Sequence, residues 1–129
     1  MKKLIKVFAL IGTVFLLAAC ENDKFDEELP VVKDNVSFTL DIQPILSTQC
    51  AGCHNPAGNI EPDLRKGYAY ESLMEDEEGI VPGDSEGSEL MEMLAWESED
   101  GNDMPPSTPM SPFQIALIKK WIDEGALDN

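Results

Sequence analysis

The segment "STQCAGCHNPAG", residues 47–58, holds two of the three cysteines and the only histidine of this 129-residue chain. Within it, Cys50, Cys53 and His54 form the pattern C-x-x-C-H. Residues three positions apart on a helical turn lie on the same face of that turn. The pentapeptide therefore predicts one turn that carries both sulfurs with the imidazole directly after them.

This pattern is typical of the attachment site of a c-type haem. Cys50 and Cys53 would form thioether bonds to the porphyrin, His54 would be an axial ligand of the iron, and Gly52 would keep the turn small against the porphyrin edge. A structural zinc site needs four ligands, and the segment offers three. A redox-active pair expects strands around it, and a disulfide that closes so short a loop removes little chain entropy. These alternatives and a chance occurrence stay open, but the pattern favours haem.

The first 20 residues predict export and lipidation. A basic start is followed by an apolar run over residues 7–17, which is shorter than the roughly 20 residues that span a membrane. Residues 17–20, "LAAC", resemble the lipobox of bacterial lipoproteins. We therefore expect a signal peptide over 1–19 and a lipid on Cys20 that anchors the chain to a bacterial membrane, facing the periplasm or the cell surface. Since c-type haem is attached outside the cytoplasmic membrane, export supports the haem interpretation.

The charge of the exported chain excludes nucleic acid as a natural partner. Three of the nine basic residues lie in the predicted signal, so six remain against 25 acidic residues, a net charge of −19. Nucleic acid and anionic membrane surfaces repel such a chain, whereas a partner with a basic docking surface attracts it. Residues 20–36 are acidic, contain a proline and lack an apolar period, so we expect a lipidated acidic tether there.

Residues 37–127 predict one small all-α domain with about four helices and no strands. A first helix over 37–50 has Thr39 or Asp41 as candidate caps and Pro44 in its first turn. A second short helix is expected over 68–75. Ser85 or Ser88 can cap a third, which is followed by a polar loop over 97–110.

The last helix has the clearest signals. Ser111 is expected at the N-cap with Pro112 after it, and Gln114 completes an S-x-x-Q capping box. Gly125 stands where a C-terminal glycine cap belongs. The apolar residues between them form a broad stripe that must be buried: Ile115, Leu117, Ile118, Trp121 and Ile122.

A haem iron bound by His54 needs a sixth ligand or leaves an open position. His54 is the only histidine, so ligation of the iron by two histidines of one chain is excluded. Ligation by histidine and methionine suits electron transfer. Met104 lies in a loop that Pro105 and Pro106 stiffen, so it is the favoured candidate, with Met110 in reserve. The methionines on predicted helices are expected to be core residues.

Three segments together resemble the planctomycete-type cytochrome c domain, a branch of the class I cytochrome c fold. They are "DIQPILSTQCAGCH", "IVPGDSEGSEL" and "DMPPSTPMSPFQIALIKKWIDEGA". The resemblance implies a helical bundle around one covalent haem c, attached at Cys50 and Cys53, with His54 as proximal and Met104 as distal ligand. It also implies that the last helix packs across the first. The chain departs from the family over residues 58–73, where related domains often have a glycine-rich stretch with leucine.

Together these features predict a monohaem c-type cytochrome lipoprotein that transfers single electrons between membrane-associated redox proteins and is not itself an enzyme. Two alternatives belong to other classes. A haem enzyme subunit or gas sensor would leave the sixth position open. A haem-free interaction lipoprotein would carry an oxidised C-x-x-C pair.

Overall fold

A computed structural model describes residues 29–96, 101 and 103–129 of the chain. The predicted signal peptide, Cys20 and most of the predicted tether lie outside the described residues, as do residues 97–100 and 102 of the polar loop. All regular structure in the described ranges is helical, which confirms the predicted all-α class. None of the described helices has the length and apolarity needed to cross a bilayer.

The first helix has two parts. A π-helical turn, Phe38–Ile42, leads directly into an α-helix, α1, over Gln43–Gln49. Pro44 lies in the first turn of α1, as the sequence predicts, where the missing N–H of proline leaves no hydrogen bond unmade. Cys50 is the residue that ends α1.

The predicted cap of this first helix is wrong. Ser37, rather than Thr39 or Asp41, is the N-cap, and its hydroxyl accepts a hydrogen bond of 3.2 Å from the backbone N–H of Leu40. The carboxylate of Asp41 accepts one of 2.8 Å from the N–H of Ser37. The helix starts with a π turn at Phe38, inside the predicted range of 37–50, so its cap lies before both predicted candidates.

Two short helices, α2 over Ala69–Met74 and α3 over Glu89–Leu94, follow near the predicted positions. Each buries one leucine in the core, Leu73 and Leu94. Ser88, one of the two predicted caps, occupies the N-cap position of α3. Its side chain makes no capping hydrogen bond to that helix. Helices this short gain little from their own hydrogen bonds and depend on tertiary packing.

Ser88 instead fastens the segment that precedes α3. Its hydroxyl accepts a hydrogen bond of 2.9 Å from the N–H of Val81 and donates one of 2.8 Å to the carbonyl of Asp84. The N–H of Gly83 then donates to the carbonyl of Ile122 at 2.7 Å. Gly83 has a φ of +86°, a conformation that glycine adopts without strain. This loop therefore joins α3 to the end of the last helix.

The last helix, α4, runs over Pro112–Asp123 and confirms its predicted signals. Ser111 and Gln114 form the full capping box. Gly125 has a φ of +100°, and its N–H bonds the carbonyl of Ile122 while the next N–H bonds that of Trp121. This pair of bonds is a Schellman motif, which ends the helix.

One continuous hydrophobic core joins the first helix to α4, which confirms the predicted packing of the last helix on the first. Trp121, only 1% exposed, lies at its centre with Phe38 at 5.3 Å and Tyr70 at 6.5 Å between ring centroids. Phe38 and Tyr70 meet edge to face at 5.2 Å, a favourable aromatic geometry. The indole N–H of Trp121 donates to the carbonyl of Leu127 at 3.0 Å.

The first and last parts of the described domain are also tied by polar contacts. The carboxylate of Glu124 accepts hydrogen bonds from the N–H groups of Asn35, at 3.0 Å, and Val36, at 2.8 Å. Asn129 accepts from the backbone of Phe38 through its side chain, at 2.8 Å. These bonds fix the start of the first helix beside the end of α4.

Candidate functional site

The C-x-x-C-H pentapeptide folds as one compact turn at the end of α1. The N–H of Cys50 still bonds the carbonyl of Leu46 at 3.0 Å, as in the helix. The carbonyl of Cys50 then accepts from the N–H groups of both Cys53 and His54, each at 3.0 Å. The structure thus places Cys50, Cys53 and His54 in the single turn that the sequence predicts.

The two cysteines have different surroundings. Neither forms a disulfide, and Cys50 is half-buried against the core while Cys53 is exposed. Burial raises the pKa of the Cys50 thiol to about 11. Cys50 therefore stays protonated near neutral pH. Because the thiolate is the attacking group in disulfide exchange, the buried Cys50 is poorly suited to that role.

One ring nitrogen of the His54 imidazole is buried without a hydrogen-bond partner among the described residues. Its backbone is held on both sides, since its N–H bonds Cys50 and its carbonyl accepts from the N–H of Leu64 at 3.0 Å. Among the described residues its Nδ1 is buried and lacks a hydrogen-bond partner. A buried polar atom without a partner loses about 1–3 kcal/mol. Hence this nitrogen lacks either a ligand or a hydrogen-bond partner at the turn.

These features fit the covalent attachment of haem. Two unpaired thiols are available on one turn, and the adjacent imidazole has an unpartnered nitrogen. Within the described ranges no three His, Cys, Asp or Glu side chains are grouped as ligands of a free metal ion. The described residues therefore do not form an assembled site for a free metal ion at this turn.

The structure also identifies residues near the turn that the sequence analysis missed. Asn55 bonds the turn through its side chain, and Gly58 packs against the carbonyl of Cys53. The segment "NPAG" directly after His54 is the sequence signal that could have revealed them, because asparagine and glycine favour local hydrogen-bonded turns. Gly52 has no such contact, since a Cβ added there would meet no atom within 4 Å. The polypeptide itself therefore imposes no requirement for glycine at position 52.

The two methionine candidates lie in different environments. Met110 is only 5% exposed and packs in the core, and its place as the reserve candidate stays a prediction. Met104 is half-buried at the edge of the core. Its N–H bonds the carbonyl of Met93 at 2.9 Å, and its carbonyl accepts from the indole N–H of Trp96 at 3.2 Å. Met104 is thus held by its backbone while its thioether remains partly accessible, and its role as a ligand stays a prediction.

An open cleft of about 750 Å³ has an apolar floor and an acidic rim. Leu73, Leu90 and Met93 contribute to the floor. Six carboxylates surround it: Glu61, Glu75, Asp76, Glu77, Glu78 and Glu89. These six carboxylates give the edge of the cleft a negative charge.

Comparison with known families agrees with this geometry. Residues 50–108 match the family model described as Planctomycete cytochrome C. The matched range begins at Cys50 and includes Met104. No curated protein and no solved structure matches the chain. The match supports the planctomycete-type cytochrome c domain that the sequence motifs indicate, and a cytochrome c family implies covalently bound haem c.

Proposed function

We infer that the chain, which carries a planctomycete-type cytochrome c domain, is a monohaem electron carrier held at a bacterial membrane by a lipid on Cys20. The turn at Cys50–His54 carries this proposal, because it combines two unpaired thiols with an unpartnered imidazole nitrogen inside the matched segment. The proposed transfer of electrons between membrane-associated proteins rests on the cofactor class and on the predicted anchor.

The cysteines supply the covalent attachment. The S–H group of Cys50 would add across one porphyrin vinyl group, and that of Cys53 would add across the other. In each addition the S–H bond would break and the C=C double bond would become single while a C–S bond and a C–H bond form, so no oxidant would be consumed. The reaction needs reduced cysteines, which is the state of both residues in the structure.

His54 and Met104 supply the proposed axial ligands. The buried Nδ1 of His54, which has no hydrogen-bond partner among the described residues, supports the role of His54 as a ligand. The hydrogen bonds to the backbone of Met104 support a fixed position for its thioether. A haem held by these residues would supply one-electron transfer. His/Met ligation raises the reduction potential. The net negative charge of the chain would favour the oxidised, more positive iron, an effect that salt screens.

Expression of the full chain in a host that attaches c-type haem tests the cofactor directly. The wild-type protein is expected to stain for haem after denaturation and to give a reduced-minus-oxidised spectrum of a c-type cytochrome. Cys53→Ser should leave one thioether at most. Cys20→Ser is the matched control, since it should release the protein from membranes while both thioethers remain. A colourless wild-type protein with the mass of the bare lipidated chain would rule out the proposal.

Carbon monoxide distinguishes the electron carrier from a haem enzyme or sensor. Met104 bound to the iron would block the sixth position, so the reduced wild-type protein should bind carbon monoxide poorly and Met104→Ala should bind it readily. Equal and rapid binding by both proteins would favour the open-site alternative.

A basic redox partner is the second part of the proposal, and the acidic rim of the cleft supports it. A strongly basic small cytochrome serves as the probe, with an acidic one as its control. Electron exchange should be faster with the basic probe and should slow as salt is added. Glu77→Lys should slow that exchange more than Asp128→Lys, a charge reversal away from the cleft lining. Electron-exchange rates that change with neither salt nor charge reversal would refute a basic docking partner.

A further inference from the structure

The side chain of Asn55 uses its entire hydrogen-bonding capacity on the backbone around the C-x-x-C-H turn. Its Nδ2 donates to the carbonyl of Ala51 at 2.8 Å and to that of Gly52 at 3.1 Å. Its Oδ1 accepts from the N–H of Ala57 at 2.8 Å and from that of Gly58 at 3.0 Å. An asparagine amide has two donors and one oxygen with two lone pairs, so all four positions are filled.

Gly58 brings the following loop into direct contact with the same turn. A Cβ added at Gly58 would lie 2.1 Å from the carbonyl oxygen of Cys53, whereas real Cβ atoms keep at least about 3.0 Å. The N–H of Gly58 also donates to the carbonyl of Asn55 at 3.0 Å. We call Asn55 and Gly58 together the loop clamp.

The two cysteines depend on the loop clamp to different degrees. Cys50 is the end of α1, bonds Leu46 through its N–H and is packed against the core. Cys53 is exposed and lies beyond the helix. Between the two cysteines, the carbonyls of Ala51 and Gly52 are bonded by Asn55. The loop clamp therefore acts on the position of Cys53 relative to Cys50.

We propose that the loop clamp is a positioning element for haem attachment, which holds the thiol of Cys53 in register with that of Cys50 so that both vinyl groups are captured. The proposal rests on the proposed haem-binding function. It assigns no contact with the porphyrin to Asn55 or Gly58, which act through Cys53. Without the clamp, Cys50 keeps its helical anchor, whereas Cys53 keeps only the hydrogen bonds of the turn itself, such as that of its N–H to the carbonyl of Cys50.

The clash at Gly58 sets the size of the effect. Gly58→Ala must displace the Cys53 carbonyl or the loop by about 1 Å, the difference between the 2.1 Å contact and the 3.0 Å limit. A misplacement of about 1 Å at reacting groups can slow a reaction on the order of 100-fold. The second thioether, at Cys53, should therefore form slowly or not at all.

Gly52→Ala is the matched control, because the same methyl group at that position meets no atom within 4 Å. Asn55→Asp is the milder second variant, since the carboxylate still accepts from Ala57 and Gly58 but no longer donates to the two carbonyls. Each full-length protein is expressed with haem-attachment machinery. The free thiols of the denatured, haem-bearing protein are alkylated and located by peptide mass.

We expect Gly58→Ala and Asn55→Asp to accumulate singly linked protein with a free Cys53, while Gly52→Ala and the wild type have both thiols blocked. Full double attachment in both clamp variants would overturn the proposal, as would an equal defect in Gly52→Ala. If Gly58→Ala yields no protein, Asn55→Asp alone decides. A wild-type protein without haem would instead overturn the proposed function, so the two failures are distinguishable.

Discussion

Replacement of Ser88 by alanine tests how the loop before α3 is held. Its hydroxyl is the partner of the Val81 N–H and of the Asp84 carbonyl, and the residue is only 2% exposed. Ser88→Ala leaves the N–H of Val81 without a partner in a partly buried position, which removes about 2 kcal/mol of stability. No helix cap is lost, because the Ser88 side chain does not cap α3.

For a domain of this size, a loss of about 2 kcal/mol lowers Tm by roughly 10 °C. Urea unfolding followed by far-UV circular dichroism measures the loss, and the denaturant slope should not change. Ser107→Ala is the control, since Ser107 is exposed and surface substitutions usually alter stability by less than about 0.5 kcal/mol. The reasoning fails if the two variants are equally stable.

Three further predictions follow from the described contacts. Met104→Ala should retain covalent haem and lower the reduction potential, while Met110→Ala should leave the potential near that of the wild type and reduce stability; potentiometric titration separates them. The N–H of Val36 and other donors hold the pKa of Glu124 below its ordinary value of 4.5, so Glu124 stabilises the fold above that pH and loses this effect as the pH falls. The difference in unfolding free energy between the wild type and Glu124→Gln should therefore decrease in acid. In haem-free protein, Cys50 should be alkylated more slowly than Cys53 at pH 8, as its burial requires; equal rates would contradict this.

The last helix was predictable in detail because its signals are local. Ser111, Gln114 and Gly125 act within one turn of the helix ends, so the sequence order itself brings the interacting groups together. The C-x-x-C-H turn is predictable for the same reason. In both places the residue spacing already contains the geometry.

The missed features depend on contacts that spacing does not reveal. The cap at Ser37 follows from a π turn, and sequence periodicity does not distinguish such a turn from an α-helical one. The hydroxyl of Ser88 bonds Val81, seven residues earlier, rather than its own helix. The role of Gly58 arises from its close approach to the Cys53 carbonyl. A tertiary approach of this kind is visible only once the backbone is folded.

The aromatic group of Phe38, Tyr70 and Trp121 gives the domain a built-in optical reporter. These rings are packed where the first helix meets the last, so their near-ultraviolet circular dichroism depends on the docking of those two helices. The absorption of a haem attached at Cys50–His54 would report instead on the far end of the first helix. Should both signals disappear at one urea concentration, the terminal helices and the haem-bearing turn unfold as a single cooperative unit.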